Sequence, residues 1–219
     1  MPVRRVEAVV SAPAEFRAGL PRGRHYNGGV KRIGLFGGSF NPVHLGHLLI
    51  ARAALEELAL DRLYFIPAAQ SPFKPDQELA PGAERARLLR LALTGWTGCE
   101  VETHELERGG ASYTIDTVRA YAARFPGAER FWLIGADHLA LLPRWREAEQ
   151  LARLTTFVVA ARPGEDFTPP ANFRVHRLAG SPTAISASAV RARARAGLPL
   201  EPWVPGPVAE AIRNSGLYL

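Results

Sequence analysis

The chain has 219 residues, 47% hydrophobic and 22% charged; this is the composition of a soluble globular protein with core material for one domain at roughly 150 residues each. It excludes a disordered or collagen-like chain, and no run of about 18 apolar residues is present to cross a membrane. A net charge of +6 and a pI near 10.1 point to an anionic partner. That charge is concentrated at one end. Residues 1–32 hold seven of the 27 basic residues and two of the 21 acidic ones, which leaves the rest of the chain at a net +1. Residues 1–31, with Pro2, Pro13, Pro21 and several glycines, therefore read as a basic extension, expected to be a mobile arm, ahead of a single domain at 32–219. Glu7, Pro13 and Glu15 interrupt any apolar region that a signal peptide would need. The one cysteine, Cys99, can form no internal disulfide, and a cytoplasmic protein is expected.

From Ile33 onward, strand-like runs alternate with helical periods. Ile33–Phe36 is a short apolar run ending in Gly37-Gly38. Leu48, Ala51, Leu55 and Leu58 then recur at spacings of three and four, which is one buried helix face. Leu63–Ile66 is a second strand closed by Pro67. Glu84–Leu93 has a helical pattern and Glu100–Glu107 a strand-like one. Ser112 or Thr114 is placed to cap a helix carrying Ile115, Val118, Ala122 and Phe125 on one face. Phe131–Ile134, Phe157–Ala160 and Phe173–Leu178 are further strands. Helices over Ala187–Ala196 and Val208–Asn214 close the chain, the last with Pro207 near its start and Gly216 just past its end. Strands alternating with helices predict βαβ units with a parallel sheet and right-handed crossovers. Ligands in such sheets bind beyond the carboxyl ends of the strands.

The segment at the first strand end is the most informative: Gly34-Leu35-Phe36-Gly37-Gly38-Ser39-Phe40-Asn41-Pro42-Val43-His44-Leu45-Gly46-His47. Gly37 and Gly38 carry no Cβ, so backbone N–H groups there can approach a phosphate closely. His44 and His47, three apart at a helix start, can project from one side, where the helix dipole favours anions. Two imidazoles at that place can hydrogen-bond charge building on phosphate oxygens. A strand–turn–helix corner with surface histidines is the plainer alternative; the spaced histidines beside paired glycines favour phosphate. Ile185-Ser186-Ala187-Ser188 with Arg191 is a second candidate cradle, in which Ser186 caps a helix, Ser188 adds a hydroxyl and Arg191 folds back on an anion. From these residues alone, a capped surface helix with an arginine-rich face is an equal reading. Asp137 at a strand end reads as an N-cap for a following helix. No residue is assigned as a protein metal ligand.

The Gly37–His47 segment resembles the nicotinate-nucleotide adenylyltransferase family, within the His-x-Gly-His nucleotidyltransferase superfamily. Further blocks match that family in order: Ile66–Lys74, Ser112–Thr117, Gly135-Ala136-Asp137 with Leu139, Leu142 and Trp145, Arg162-Pro163-Gly164, Ile185–Arg191, and Gly216-Leu217-Tyr218. The likeness runs from about Lys31 to the end. It implies an α/β fold, a Rossmann-like doubly wound parallel sheet with flanking helices of the His-x-Gly-His nucleotidyltransferase type. It also implies transfer of the adenylyl group of ATP to nicotinate mononucleotide, giving nicotinate adenine dinucleotide and pyrophosphate in NAD biosynthesis, with Mg²⁺ accompanying ATP. The family pattern places His44, His47 and Arg191 in catalysis. It puts Gly37, Gly38, Ser39, Phe40, Gly135, Asp137, Arg162, Ile185, Ser186 and Ser188 around ATP, with Asp137 at the ribose and Arg162 near the adenine. Lys74, Tyr113, Thr114 and Trp145 fall to the nicotinate nucleotide; Trp145 stacks on the pyridine ring, and backbone amides at Tyr113 and Thr114 meet its carboxylate. Phe73 departs from the pattern, standing where the family commonly has histidine. His25, His104, His138 and His176 match no chemical position.

Within enzymes, the alternatives are nicotinamide mononucleotide or pantetheine phosphate as acceptor; the Tyr113 and Trp145 blocks favour a pyridine nucleotide. A nucleic-acid-binding protein, suggested by the pI, requires a basic face on the folded body, against which the near-neutral domain argues. A tRNA synthetase is disfavoured by the short chain and the missing lysine-rich second signature. The expected partners are thus ATP and nicotinate mononucleotide, with no nucleic acid and no membrane; a homo-oligomer is left open.

Overall fold

The computed structural model describes residues 29–74, 76–160, 167–179 and 185–219; the basic extension through residue 28 and Arg162 lie outside the described residues. Six strands form one all-parallel sheet: β1 (Arg32–Gly38), β2 (Arg62–Pro67), β3 (Cys99–Val101), β4 (Glu129–Gly135), β5 (Thr156–Ala160) and β6 (Val175–Arg177). Their order across the sheet is β3-β2-β1-β4-β5-β6. The chain winds outward from β1 through β2 and β3, then returns to build β4, β5 and β6 on the other side. The reversal lies between β1 and β4, where the connections leaving the two strands part and open a crevice at their carboxyl ends. The doubly wound sheet expected from the alternation of elements is present.

Both faces of the sheet are buried, as a parallel sheet requires. Alternate residues of β1 go to opposite sides: Ile33 and Leu35 to one core cluster, Phe36 to the other. On the Phe36 side pack α1 (Leu45–Glu57), α2 (Gly82–Ala92), α6 (Ala187–Arg195) and α7 (Gly206–Ser215), through residues such as Leu48, Leu88, Val190 and Ile212. On the other side lie α4 (Thr114–Arg124), α5 (Ala148–Leu154) and a 3-10 helix over Ala136–Arg144, through Ile115, Val118, Leu142 and Leu151. Gly216 ends α7 in left-handed backbone at φ +64°, a conformation that costs glycine nothing.

Three local expectations are corrected. The strand-like run Glu100–Glu107 is a strand only over Cys99–Val101 and then becomes the short helix α3 (His104–Arg108). In the β2–β3 ladder the Leu63 N–H donates to Gly98 and the Glu102 N–H to Phe65; the next donor in that register is residue 67, a proline with no N–H. The ladder ends where its donor is missing. Neither Ser112 nor Thr114 caps α4: its N-cap is Tyr113, without a side-chain hydrogen bond. The Ser112 Oγ instead accepts from the Ala69 N–H at 3.0 Å, a tertiary bond that pins the approach to α4 against the end of β2. Asp137 is not an N-cap either, since the 3-10 helix starts from Gly135 and Asp137 lies in its first turn.

Candidate active site

The crevice at the carboxyl ends of β1 and β4 is a cleft of about 930 Å³, large enough for a small-molecule ligand of nucleotide size. Its floor is the loop leaving β1. Phe40 anchors that loop. Its backbone takes φ +44°, a sparsely populated region for a side-chain-bearing residue, while its ring is buried against Phe36 and Phe65 at centroid distances of 5.4 and 5.8 Å. Burying the ring offsets the cost of the backbone and fixes where Ser39 and Gly38 lie in the cleft. Gly37 has a packing reason as well as the expected one: a Cβ there would stand 2.5 Å from the Trp132 ring, so the space is filled by protein, not left for a ligand.

Two arginines hold the same loop from outside. Arg85 on α2 is 2% exposed, yet no carboxylate among the described residues pairs with it. Its Nη1 donates to the carbonyls of Ser39 at 2.7 Å and Ala68 at 2.8 Å, and its Nε donates to Ala80 at 2.9 Å. One guanidinium thus ties the loop after β1 to the end of β2 and to the start of α2. On the other side the Arg191 Nη1 donates to the Asn41 carbonyl at 2.7 Å, while the Asn41 Oδ1 accepts from the Ala80 N–H at 3.1 Å.

His44 and His47 stand at the start of α1 with their rings stacked, centroids 3.7 Å apart and planes at 28°. The His44 N–H donates to Nδ1 of His47 at 3.2 Å. An accepting Nδ1 carries no proton, so the neutral ring of His47 has its proton on Nε2 and can donate from there. His47 also lies against the Phe40 ring, with centroids 4.9 Å apart. Burial pushes His44 down from 6.5 to about 4. Burial, and then the neighbouring His44, hold His47 well below the ordinary histidine range. At neutral pH the pair is uncharged, two N–H donors at the edge of the cleft.

The depressed pKa has a stability consequence. The unfolded chain protonates His44 near 6.5 and the folded chain only near 4. Between those values the unfolded state binds more protons, so stability is full above about pH 6.5 and falls as the pH drops through the window. By pH 4.5 the loss from His44 is on the order of 2–3 kcal/mol. Urea unfolding of wild type and His44→Gln from pH 7 to 4.5 should show a shallower decline in the variant by about that amount; equal slopes would contradict the neutral buried state.

The expected site residues fall as follows. Gly37, Gly38, Ser39, Phe40, His44 and His47 line the cleft from β1 and the start of α1; Gly135 and Asp137 line it from the end of β4; Lys74, Tyr113, Thr114 and Trp145 line it from the loop after β2, the start of α4 and the end of the 3-10 helix; and Ile185 and Ser186 line it at the start of α6. Ser186 caps α6, its Oγ accepting from the Ala189 N–H at 3.2 Å, and lies 3.1 Å from the Ser188 Oγ. Ser188, exposed in the first turn of α6, and Arg191 are not among the lining residues. Arg162 lies outside the described residues. The cleft also holds residues that sequence reading left aside: Phe73, His138, Arg144, Arg146 and the buried Glu105, whose carboxylate accepts from the Thr117 hydroxyl at 2.5 Å. His138 follows Asp137 directly, so its place after a strand end was the available signal. For Glu105, whose expected strand is a helix, there was none. Among the described residues, no group of three or more His, Cys, Asp or Glu gathers as a metal site, and no helix is long and apolar enough to cross a membrane.

Comparison with known proteins gives three findings. A model of the cytidylyltransferase-like family matches residues 35–193. A protein of Opitutus terrae described as a probable nicotinate-nucleotide adenylyltransferase is 40% identical over 190 residues, covering 85% of this chain and 97% of its own; one of Bordetella petrii with the same description is 44% identical over 198 residues, covering 86% and 100%. Among solved structures, the nicotinic acid mononucleotide adenylyltransferase of Plasmodium falciparum complexed with NaAD superposes with a TM-score of 0.71 over 86% of this chain and 97% of that one. At 16% identity, that likeness speaks for the fold alone.

Proposed function

The chain belongs to the nicotinate-nucleotide adenylyltransferase family, and from that membership and the geometry of its cleft we propose how it works. It transfers the adenylyl group of ATP to nicotinate mononucleotide, forming nicotinate adenine dinucleotide and pyrophosphate. The phosphate oxygen of the mononucleotide attacks the α-phosphorus of ATP, and the bond from that phosphorus to the β-bridging oxygen breaks. The acceptor phosphate, with a second pKa near 6, is already largely dianionic at neutral pH, so no protein base is needed. The work is positioning and stabilisation of charge on the equatorial oxygens.

The observation that carries this reading is the stacked, neutral histidine pair at the switch point of the sheet. His47, with Nδ1 occupied, donates from Nε2 to a non-bridging oxygen of the α-phosphate; His44 donates beside it. Neutral donors suit this task because they add no like-charge repulsion within the pair, and each bond strengthens as the oxygen gains charge. The backbone from Gly37 to Phe40 holds the triphosphate close. The capped start of α6, with Ser186 and Ser188, receives the departing β- and γ-phosphates, and Arg191 keeps that helix against the Asn41 carbonyl. Asp137, in the first turn after Gly135, meets the adenosine ribose; the family likeness assigns Arg162 to the adenine. Trp145, Tyr113, Thr114 and Lys74 hold the acceptor. Mg²⁺ would enter with the nucleotide, where it would neutralise charge on the phosphates. The lone cysteine suits a cytoplasmic enzyme. Residues 1–31 carry no part of this chemistry.

Mass analysis of a reaction with ATP, Mg²⁺ and nicotinate mononucleotide tests the reading. Nicotinate adenine dinucleotide and pyrophosphate should form in equal amounts. Release of phosphate or AMP in place of pyrophosphate would contradict it.

A further inference from the structure

One cationic side chain in the cleft is not used by the chemistry above. The guanidinium of Arg146 lies 4.6 Å from the centre of the Tyr113 ring, and both residues line the cleft. Among the described residues, Arg146 pairs with no carboxylate. Its neighbour Glu147 is taken by Arg119, whose Nη1 donates to Oε1 at 3.1 Å and whose Nη2 donates to Oε2. The platform beneath it is fixed, because the Ser112 N–H donates to the Gln70 carbonyl at 2.9 Å and the Ser112 Oγ accepts from Ala69. A guanidinium resting on an aromatic face keeps its edge N–H groups for a planar anion.

The character of this wall indicates which anion. Trp145, next in the chain, has a buried indole N–H without a partner among the described residues. The rings of Phe73 and His138 each lie 6.0 Å from that of Trp145. In the reaction proposed above, the phosphates lie at His44 and His47, which line the same cleft. An acceptor whose phosphate reaches His47 therefore directs its ring toward the aromatic end, and an anion carried by that ring is what Arg146 meets.

We infer that Arg146 is a specificity-determining residue that reads the carboxylate of the nicotinate ring, adding a charged side chain to whatever the backbone amides at the start of α4 supply. The inference rests on the reading that the acceptor is a pyridine mononucleotide. A carboxylate offers the guanidinium two oxygens and a full charge; the corresponding carboxamide offers one oxygen and none.

The test is steady-state kinetics of wild type, Arg146→Gln and Arg146→Lys at saturating ATP, with nicotinate mononucleotide and nicotinamide mononucleotide in parallel, and thermal melts to confirm folding. Arg146→Gln should lower kcat/KM for the acid on the order of 10- to 100-fold, mostly through KM, and leave the amide within about threefold. Arg146→Lys should recover part of the loss. An Arg146→Gln variant that keeps the wild-type preference would overturn the inference. So would one that loses both substrates equally, since that would put the guanidinium on the phosphate that both acceptors share. A wild type that transfers to neither mononucleotide would overturn the underlying reading, and the inference with it.

Discussion

His47→Ala is expected to lower kcat/KM for adenylyl transfer on the order of 10²–10³-fold while the protein stays folded and still binds ATP. The magnitude is that of removing one preorganised donor from a site of developing oxyanion charge. The loss should appear in kcat, because a bond that strengthens only as the α-phosphate oxygens gain charge contributes little to ground-state binding. The fold should survive: the substitution leaves one backbone donor, the His44 N–H, without its 3.2 Å acceptor, a cost of about 1 kcal/mol at a helix start. Circular dichroism and nucleotide titration separate the two effects. An unfolded variant, or one with near-normal turnover, would remove His47 from the role proposed for it.

Arg85→Ala should produce the largest loss of stability, about 3–5 kcal/mol, and a melting temperature lower by roughly 10 °C. It empties a fully buried site and leaves the carbonyls of Ser39, Ala68 and Ala80 without this donor, so that each must find water or go unpaired. Arg85→Lys keeps the charge but not the planar fork that reaches three acceptors, and should recover only part of the stability. Activity should fall more than a stability loss alone explains, since the freed Ser39 belongs to the loop that lines the cleft. A melting temperature within 2 °C of wild type for Arg85→Ala would contradict the clamp.

Arg85 also shows where sequence reading stops. The period of Glu84–Leu93 correctly implies a helix, but an arginine on a helix is normally assigned to the wet face. Nothing local marks Arg85 as buried, because its partners are carbonyls up to 46 positions away. Arg191 is similar. Its place on the capped helix α6 was readable, but its bond to Asn41 spans 150 positions. Ser112 carries a good local signal for capping that a tertiary bond to Ala69 overrides. What was legible rests on short-range physics: alternating periods for the doubly wound sheet, and a strand, two glycines and two spaced histidines for the switch-point site. Even there, the glycine argument was incomplete, since only the folded chain brings Trp132 into the space that Gly37 leaves.

Two acceptors that differ in one ring substituent decide the assignment. Wild-type enzyme given ATP, Mg²⁺ and either nicotinate or nicotinamide mononucleotide, with pyrophosphate release followed continuously, should show kcat/KM at least about tenfold higher for the acid, the size expected of a charge-assisted contact. A tenfold preference for the amide, or no pyrophosphate with either acceptor, would contradict it.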